Sequence, residues 1–454
     1  MHFEGRNGFV PFIIVFFIFC VLFSAQKICS FDIWWHLKTG EWVWHNKAIP
    51  HFDPFSYTFQ NAKWIDFEWL FQALIYPIYR LGGFGGLIVF KIFVISLTFM
   101  VLFLTCREVD GAKRWLSITI LFLALQVASA RFMVRPQIIF LFFLAFFSYL
   151  LILHREEKIS TRKLIFFLLP LHLLWVKFHS SFLMGILMVG AYALGRFIPM
   201  ALRQPGDLRP VFKDRRLRAL LFLCLMLGLV SLLNPNFYRV FLVPLKTMES
   251  EEVLKGIVEW KPLDIRLLGL LVTDPTMWFR ALFVVGAASF LIQRDNLKRV
   301  EDVIIFAFFS FLAFKYIRFC GAFAVVATPI IVNNLGQLRW QLSRWRWIRL
   351  LPLFVIIGFC VRDTGELIRA QRIGLGVWRN YPEATVKFLK DHHIKGNIFN
   401  TYGLGGYIIW HLWPNIPVFI DGRTPTIYDQ DFFWLYSLAE RKKEIWEKVV
   451  KNYG

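Results

Sequence analysis

Between the first two long apolar runs lies a stretch of different character, Phe31 to Trp69, reading FDIWWHLKTGEWVWHNKAIPHFDPFSYTFQNAKWIDFEW. It gathers Asp32, Glu41, Asp53, Asp66 and Glu68 with His36, His45 and His51 among many aromatic rings. Carboxylates and imidazoles accept protons and bind metal ions. A stretch this rich in them, starting where a hydrophobic helix ends, is a functional-site hypothesis by default. Asp32 and His36 lie one helical turn apart and are a candidate metal pair, although two ligands do not make a site. Asp32 also suits a helix N-cap. Asp53 before Pro54 suits a turn as well as a site. Asp66 and Glu68 open a predicted helix, where acids complement the macrodipole, and are site candidates too.

Cations stand at the ends of other apolar runs: Arg131 and Arg135 before Pro136, Lys177 with His179, and Lys315 with Arg318. Glu259 lies in the string VEWKP. Charges at hydrocarbon depth must pair or face a wet cavity. A cavity holding both signs suits a substrate that carries phosphate and needs a base. Arg131, Arg135, Lys177, His179, Lys315 and Arg318 are the expected phosphate-binding groups. Asp32, with His36 or Glu259, is the expected base toward an attacking hydroxyl or amide. Asp421 and Arg423 end a predicted strand, and they either reach this site or pair with each other. Gly403, Gly405 and Gly406 lack the spacing of a dinucleotide fingerprint and read as a tight turn.

The frame that must position these residues is a membrane one. The chain has 454 residues, 57% of them hydrophobic, with 51 Phe and 18 Trp. A soluble protein of this size could not cover that apolar surface. The net charge of +21 sits mainly in short loops between apolar runs, so it reads as topology and not as nucleic-acid binding. Cys20, Cys29, Cys106, Cys224, Cys320 and Cys360 show neither metal nor disulfide spacing. Apolar runs at 9–26, 84–105, 115–130, 137–153, 164–176, 182–197, 219–233, 276–293, 303–314, 319–335 and 350–361 predict about eleven spans. Arg6 before the first run and the basic inner loops predict the N-terminus inside and the C-terminus outside. Residues 1–370 thus form a helix bundle with a long first outer loop at 29–69 and a second outer segment at 235–275.

Within the first loop, 32–46 and 66–80 read as surface helices, with tryptophans at interface depth. Beyond Gln371 the texture changes. A helix is predicted over 381–393, a strand over 397–400, a helical or extended piece over 407–412 and a strand over 417–421. Helices over 431–440 and 442–451 follow. This reads as a small extracytoplasmic α/β domain at 371–454, and its ending after a helix predicts that the sequence is part of a longer protein.

The layout of one span, a long outer loop with an acid near its start, many further spans and an outer C-terminal domain resembles the GT-C superfamily of membrane glycosyltransferases. The strings DIWWHLKTGEW, DPFSYT, FMVRPQ, WVKFHSS, LLNPNF and GGYIIWHLWPNIPVFIDGR are similar to a group of bacterial GT-C-like membrane proteins. The resemblance implies a bacterial inner-membrane enzyme with its site on the periplasmic face. Its donor would be a polyprenyl-phosphate-linked sugar drawn from the membrane lipid phase, and its acceptor a glycan, lipid or protein. In that superfamily an acid in the first outer loop is catalytic or binds a metal, and Asp32 stands in its place. Glu259 matches a loop that closes the site in oligosaccharyltransferases. The region Arg131 to Pro136 has no Asp-x-Asp or Glu-x-Asp, and the C-terminal region has no WWDYG string. A divalent ion, Mg or Mn, and a peptide acceptor therefore both stay open. The rival readings are a transporter or flippase of lipid-linked glycans and a non-catalytic membrane scaffold. The first would need acids along a path through the spans, and these are almost lacking.

Overall fold

Long runs of Leu, Phe and Ile between Pro-, Ser- and Asp-marked starts make this chain helical. The computed structural model describes residues 9–109, 113–203, 207–249, 257–263, 276–292, 299–337, 349–378, 381–424 and 426–453. The helices are α1 (Val10–Ser24), α2 (Asp32–Asn46), α3 (Trp69–Glu108), α4 (Arg114–Ser129), α5 (Pro136–Arg155) and α6 (Thr161–Phe178), followed by Leu183–Arg203, Arg215–Ser231, Met277–Ile292, Val300–Lys315, Cys320–Gly336 and Leu351–Arg369. Starts follow local chemistry. Pro136 opens α5, Ser160 caps α6, and the Asp214 carboxylate accepts the Leu217 N–H at 2.7 Å to cap Arg215–Ser231.

Each expected apolar run falls on a helix, but the reading of about eleven spans is met only in part. Among the described residues, four helices are long and apolar enough to cross a membrane: Trp69–Glu108, Pro136–Arg155, Ser180–Arg203 and Ile317–Gly336. Val10–Ser24, Arg114–Ser129 and Met277–Ile292 are apolar but shorter. The hub is Cys320–Gly336, buried at every position and packed on α3, α4, α5, Met277–Ile292 and Val300–Lys315.

The surface helix at 66–80 and the span at 84–105 are two helical pieces of α3, parted by a kink where Gly83 takes φ 57° and ψ −150°, a conformation open to glycine. Two expectations change. The α/β reading of 371–454 does not hold among the described residues. The region is made of the helices Glu383–Asp391, Gly405–Leu412, Gln430–Ala439 and Lys443–Tyr453, and the expected strands meet only in single bridges, such as Ile398 with Val418 and Ser56 with Val418. The 403–406 turn is instead a short 3-10 segment running into Gly405–Leu412. There Gly406 leaves room for the Phe31 carbonyl and Trp35 of α2. In the second outer segment Arg239–Glu249 is helical, while Glu251, Glu252 and Asp264 lie outside the described residues.

Residues 371–453 are sewn to the first loop. Tyr57 N–H donates to the Val418 carbonyl at 3.2 Å, Thr58 Oγ1 to the Phe419 carbonyl at 2.7 Å, and Trp413 Nε1 to the Pro54 carbonyl at 2.9 Å. The α1–α2 link joins the same body: Lys27 N–H donates to the Arg372 carbonyl at 2.7 Å and the Tyr381 hydroxyl to the Ser30 carbonyl at 3.0 Å.

Candidate functional site

Asp32 is the first residue of α2, and Ser30 two positions earlier is buried. Opposite them the α4–α5 link makes two tight turns, Met133 N–H to the Arg131 carbonyl and Arg135 N–H to the Met133 carbonyl, both at 2.8 Å. Pro136 then holds Arg135 extended, at φ −142° and ψ 160°. This conformation sends the guanidinium across to α2. Arg135 Nε donates to Ser30 Oγ at 2.7 Å, Nη2 lies 2.9 Å from Asp32 Oδ2, and Nη1 reaches Glu259 Oε1 at 3.3 Å. Arg131 pairs directly with the other oxygen of Glu259 and lies 3.4 Å from Gln137 Oε1.

Glu259 stands in a 3-10 turn, Val258–Trp260. Two backbone bonds fasten it beside Val300–Lys315: Leu263 N–H to the Phe314 carbonyl at 2.9 Å and Ile317 N–H to the Lys261 carbonyl at 3.2 Å. Trp260 stacks edge-on against Tyr316, and the Arg318 guanidinium lies 4.2 Å from the Trp260 ring centre. This is a cation–π contact that holds Arg318 facing Glu259.

A second layer adjoins the first. Glu68, just before α3, has its carboxylate oxygens 3.8 Å from His36 Nε2 and 3.8 Å from His179 Nε2. The Ser181 N–H donates to His179 Nδ1 at 3.1 Å. That hydrogen-bond network assigns the proton of the neutral ring to Nε2, toward Glu68.

The electrostatics differ between the acids. Burial would raise the Glu259 pKa, but Arg135, Arg318 and Arg131 outweigh it and bring the carboxyl down to about 2. Asp32 goes the other way. Burial raises it, Arg135 pulls it down, and Glu259 pushes it up again, leaving it above the ordinary carboxylate value. Burial, then Asp66 and Asp32, push Glu68 well up. Burial, then Arg135 and His179, hold His36 well below the ordinary imidazole value, and burial with Arg318 brings His179 down to about 3. Both rings are neutral near pH 7.

The structure thus brings together Asp32, Arg131, Arg135, Glu259 and Arg318, with His36, Glu68 and His179 behind them. It does not bring in the others. Lys177 and Lys315 have no ion pair among the described residues, and the exposed Lys315 lies over the Tyr316 ring at 5.2 Å. Asp66 serves as a cap, its Oδ1 accepting the Glu68 N–H at 3.1 Å and Gln72 Nε2 at 3.0 Å. Asp53, Asp421 and Arg423 form an internal network. Arg423 Nη1 is 2.7 Å from Asp53 Oδ1, Nη2 is 2.6 Å from Asp421 Oδ2, and the Tyr428 hydroxyl donates to Asp421 at 2.7 Å.

Of the candidate metal pair, Asp32 faces Arg135 and His36 Nε2 faces Glu68. Among the described residues no group of three or more His, Cys, Asp or Glu side chains is placed to hold a metal ion.

Sequence reading missed Ser30, Trp260, Tyr402 and Gly422. A Cβ on Gly422 would fall 2.6 Å from Asp32 Oδ1, so the backbone between Asp421 and Arg423 presses on the acid itself. Burial and then the Asp32 charge push the Tyr402 phenol above its ordinary range. The DGR string was the available signal, since a glycine between two buried charges marks close backbone approach.

No protein-family model matches the chain, and no curated protein sequence matches it. Solved structures do. The oligosaccharyltransferase AglB of the archaeon Archaeoglobus fulgidus, in complex with an inhibitory peptide and a dolichol-phosphate, superposes with a TM-score of 0.62 at 13% identity, over 93% of this chain and 65% of that one. The oligosaccharyltransferase of the same organism tethered to an acceptor peptide with the NVT sequon gives 0.60 at 13% identity, over the same shares. Its complex with zinc and sulfate gives 0.54 at 14% identity, over 89% of this chain and 62% of that one. The chain spans less than two thirds of the length of these enzymes. What the likeness establishes is the architecture: the chain shares the fold of the archaeal oligosaccharyltransferase over 93% of its length.

Proposed function

We propose that this protein is an integral membrane glycosyltransferase that moves a sugar from a polyprenyl-phosphate carrier to an acceptor glycan, lipid or protein. The observation that carries the reading is the convergence of Asp32, Arg135, Glu259 and Arg131 from three separate stretches of chain. Arg131, Arg135 and Arg318 hold the donor phosphate. Glu259, ionised throughout the physiological range, is the anion that keeps these guanidiniums in place until the phosphate arrives. Asp32, loosened from Arg135 by the incoming phosphate, accepts the proton of the attacking hydroxyl or amide. The bond from the acceptor atom to the anomeric carbon forms as the bond from that carbon to the phosphate oxygen breaks. The charge left on the lipid phosphate is taken up by the guanidiniums. Glu68 with His36 and His179 backs the site. No step in this scheme runs through a metal ion.

In this reading the basic loops lie in the cytoplasm and the cluster faces the extracytoplasmic side of a bacterial inner membrane. The shorter apolar helices complete their crossings with flanking residues, and residues 371–453 form the floor beneath the acceptor. The test is transfer from a labelled polyprenyl-phosphate sugar by the purified full-length protein. Asp32→Asn is expected to lose at least about 100-fold in rate. Unchanged transfer by Asp32→Asn removes the proposed base.

A further inference from the structure

A second cationic feature lies next to the cluster but outside it. A cleft of about 510 Å³ opens beyond the end of α1, walled by α3, α4 and Leu351–Arg369. Lys91 projects into it from α3, a helix long and apolar enough to cross a membrane. The lysine is 1% exposed. Its ammonium donates to the Gln26 carbonyl at 2.7 Å, and no carboxylate among the described residues pairs with it. A buried charge without a counter-ion costs several kcal/mol, and an ionisable side chain inside a membrane helix marks a functional site by default.

The rest of the cleft is built to the same sign at one end. Lys27 and Arg372 line it, also without an ion-pair partner among the described residues, and the Arg372 guanidinium lies over the Trp378 ring at 5.5 Å. The two acids on the opposite wall are already engaged. Asp363 holds Arg362 at 2.9 Å and accepts from Gln126 Nε2 at 3.1 Å, and Glu366 faces Arg362 at 3.5 Å. Ser30 adds a hydroxyl. The ligand is therefore an anion with several acceptor oxygens.

It also has an apolar part. The helices on either side of the cleft carry bare hydrophobic faces, Ile14, Ile18 and Val21 on α1 and Val355 and Val361 on Leu351–Arg369, each more than two fifths exposed. We propose that this cleft binds the phosphate ester of a membrane lipid, with Lys91 as the buried anchor, Lys27 and Arg372 at the mouth, and the hydrocarbon tail along the outward faces of α1 and Leu351–Arg369. The chemistry is shared by prenyl phosphates and phospholipid head groups. Because Ser30 lines the cleft and also receives Arg135, occupancy would be felt at the arginine that holds Asp32. The inference stands on Lys91 and its surroundings and does not depend on the transferase reading.

The test is lipid retention by the purified full-length protein in detergent, read by native mass spectrometry. The probes are a long-chain prenyl monophosphate, phosphatidylglycerol, the uncharged prenol and inorganic phosphate. One or both lipid phosphates are expected to bind well above prenol and inorganic phosphate, and the stronger of the two names the source. Lys91→Gln and Arg372→Gln are each expected to weaken binding about tenfold, the loss of one charge-assisted hydrogen bond. Arg372 is exposed, so its variant decides the matter should Lys91→Gln fail to fold. Lys177→Gln, outside both this cleft and the Arg135 cluster, is expected to bind as wild type. Equal binding of prenol, binding of inorganic phosphate alone, or undiminished binding in the folded variants overturns the proposal.

Discussion

Two networks built from the same residue types lie on either side of Gly422, and they differ in what they leave unanswered. Around Arg423 the side chains of Asp53, Asp421 and Arg423 have no exposure at all. Asp53 accepts from Phe55 N–H, Ser56 and Arg423, and Asp421 accepts from the Arg423 backbone, its guanidinium and Tyr428. Phe55 and Trp64 cover the guanidinium, with ring centres at 5.0 Å and 4.9 Å. Around Arg135 the side chains keep 29% exposure at Asp32, 18% at Glu259 and 16% at Arg135. Three guanidiniums there face two carboxylates. The sealed network has used up its bonding capacity and holds the first loop to the C-terminal region. The open one keeps cation capacity to spare, which is what a ligand needs.

The sharpest way to break this comparison is to open the sealed network. Arg423→Met leaves two buried carboxylates without a cation, at a cost of about 3–5 kcal/mol, a large share of a typical folding free energy. Loss of the monodisperse folded species in size-exclusion chromatography is expected, and wild-type melting would show that the network is dispensable. The open network should respond oppositely. Asp32→Asn keeps Arg135 bonded to Ser30 and Glu259, so its melting temperature is expected to move by no more than about 2 °C while transfer falls at least about 100-fold.

Asp66, a buried acid held by a backbone N–H and an amide, sharpens the contrast through pH. Burial, against its hydrogen bonds, brings its carboxyl up to about 7. The folded state therefore holds this proton more tightly than the unfolded chain. The resulting stability is full below about pH 4 and is lost as pH rises through about 7, on the order of a few kcal/mol. Melting at pH 5 and pH 8 should show the loss in wild type and a flatter response in Asp66→Asn. Glu259→Gln removes the resident anion, and inhibition of transfer by free prenyl phosphate is expected to tighten about tenfold. Unchanged inhibition would separate Glu259 from the phosphate subsite. The smallest effect is expected at the lysines outside the cluster: Lys177→Gln and Lys315→Gln should each change transfer by less than about threefold.

Local chemistry was legible and distant pairing was not. The sequence places α2 at 32–46, and the helix runs from Asp32 to Asn46, ended by Lys47 in the left-handed conformation at φ 53°. Its N-terminal acid and a following run bounded by Pro50 carry that information within a few residues. The apolar runs behave the same way, because hydrophobic length is a local property. The kink at Gly83 was legible too, since Gly82, Gly83, Gly85 and Gly86 read as a break and the helical path is interrupted at Gly83. The predicted strands at 397–400 and 417–421 have strand-like composition, yet they meet only isolated bridges, Val418 with Ile398 and with Ser56. Charge placement at the ends of apolar runs was enough to name Asp32, Arg131, Arg135, Glu259 and Arg318. It could not separate them from Lys177 or Lys315, because nothing local says which way a terminal cation turns. The Asp53–Arg423 pair joins distant parts of the chain, and only the fold shows that it closes on itself.

The contact between Gly422 and Asp32 has a consequence for how this protein can fail. The peptide that touches the acid is clamped on both flanks, so residues near the two ends of the sequence share one rigid seat. The C-terminal body cannot swing aside as a lid and leave the chemistry intact. A folding error late in the chain would reappear at the start of α2 as a mis-aimed carboxylate.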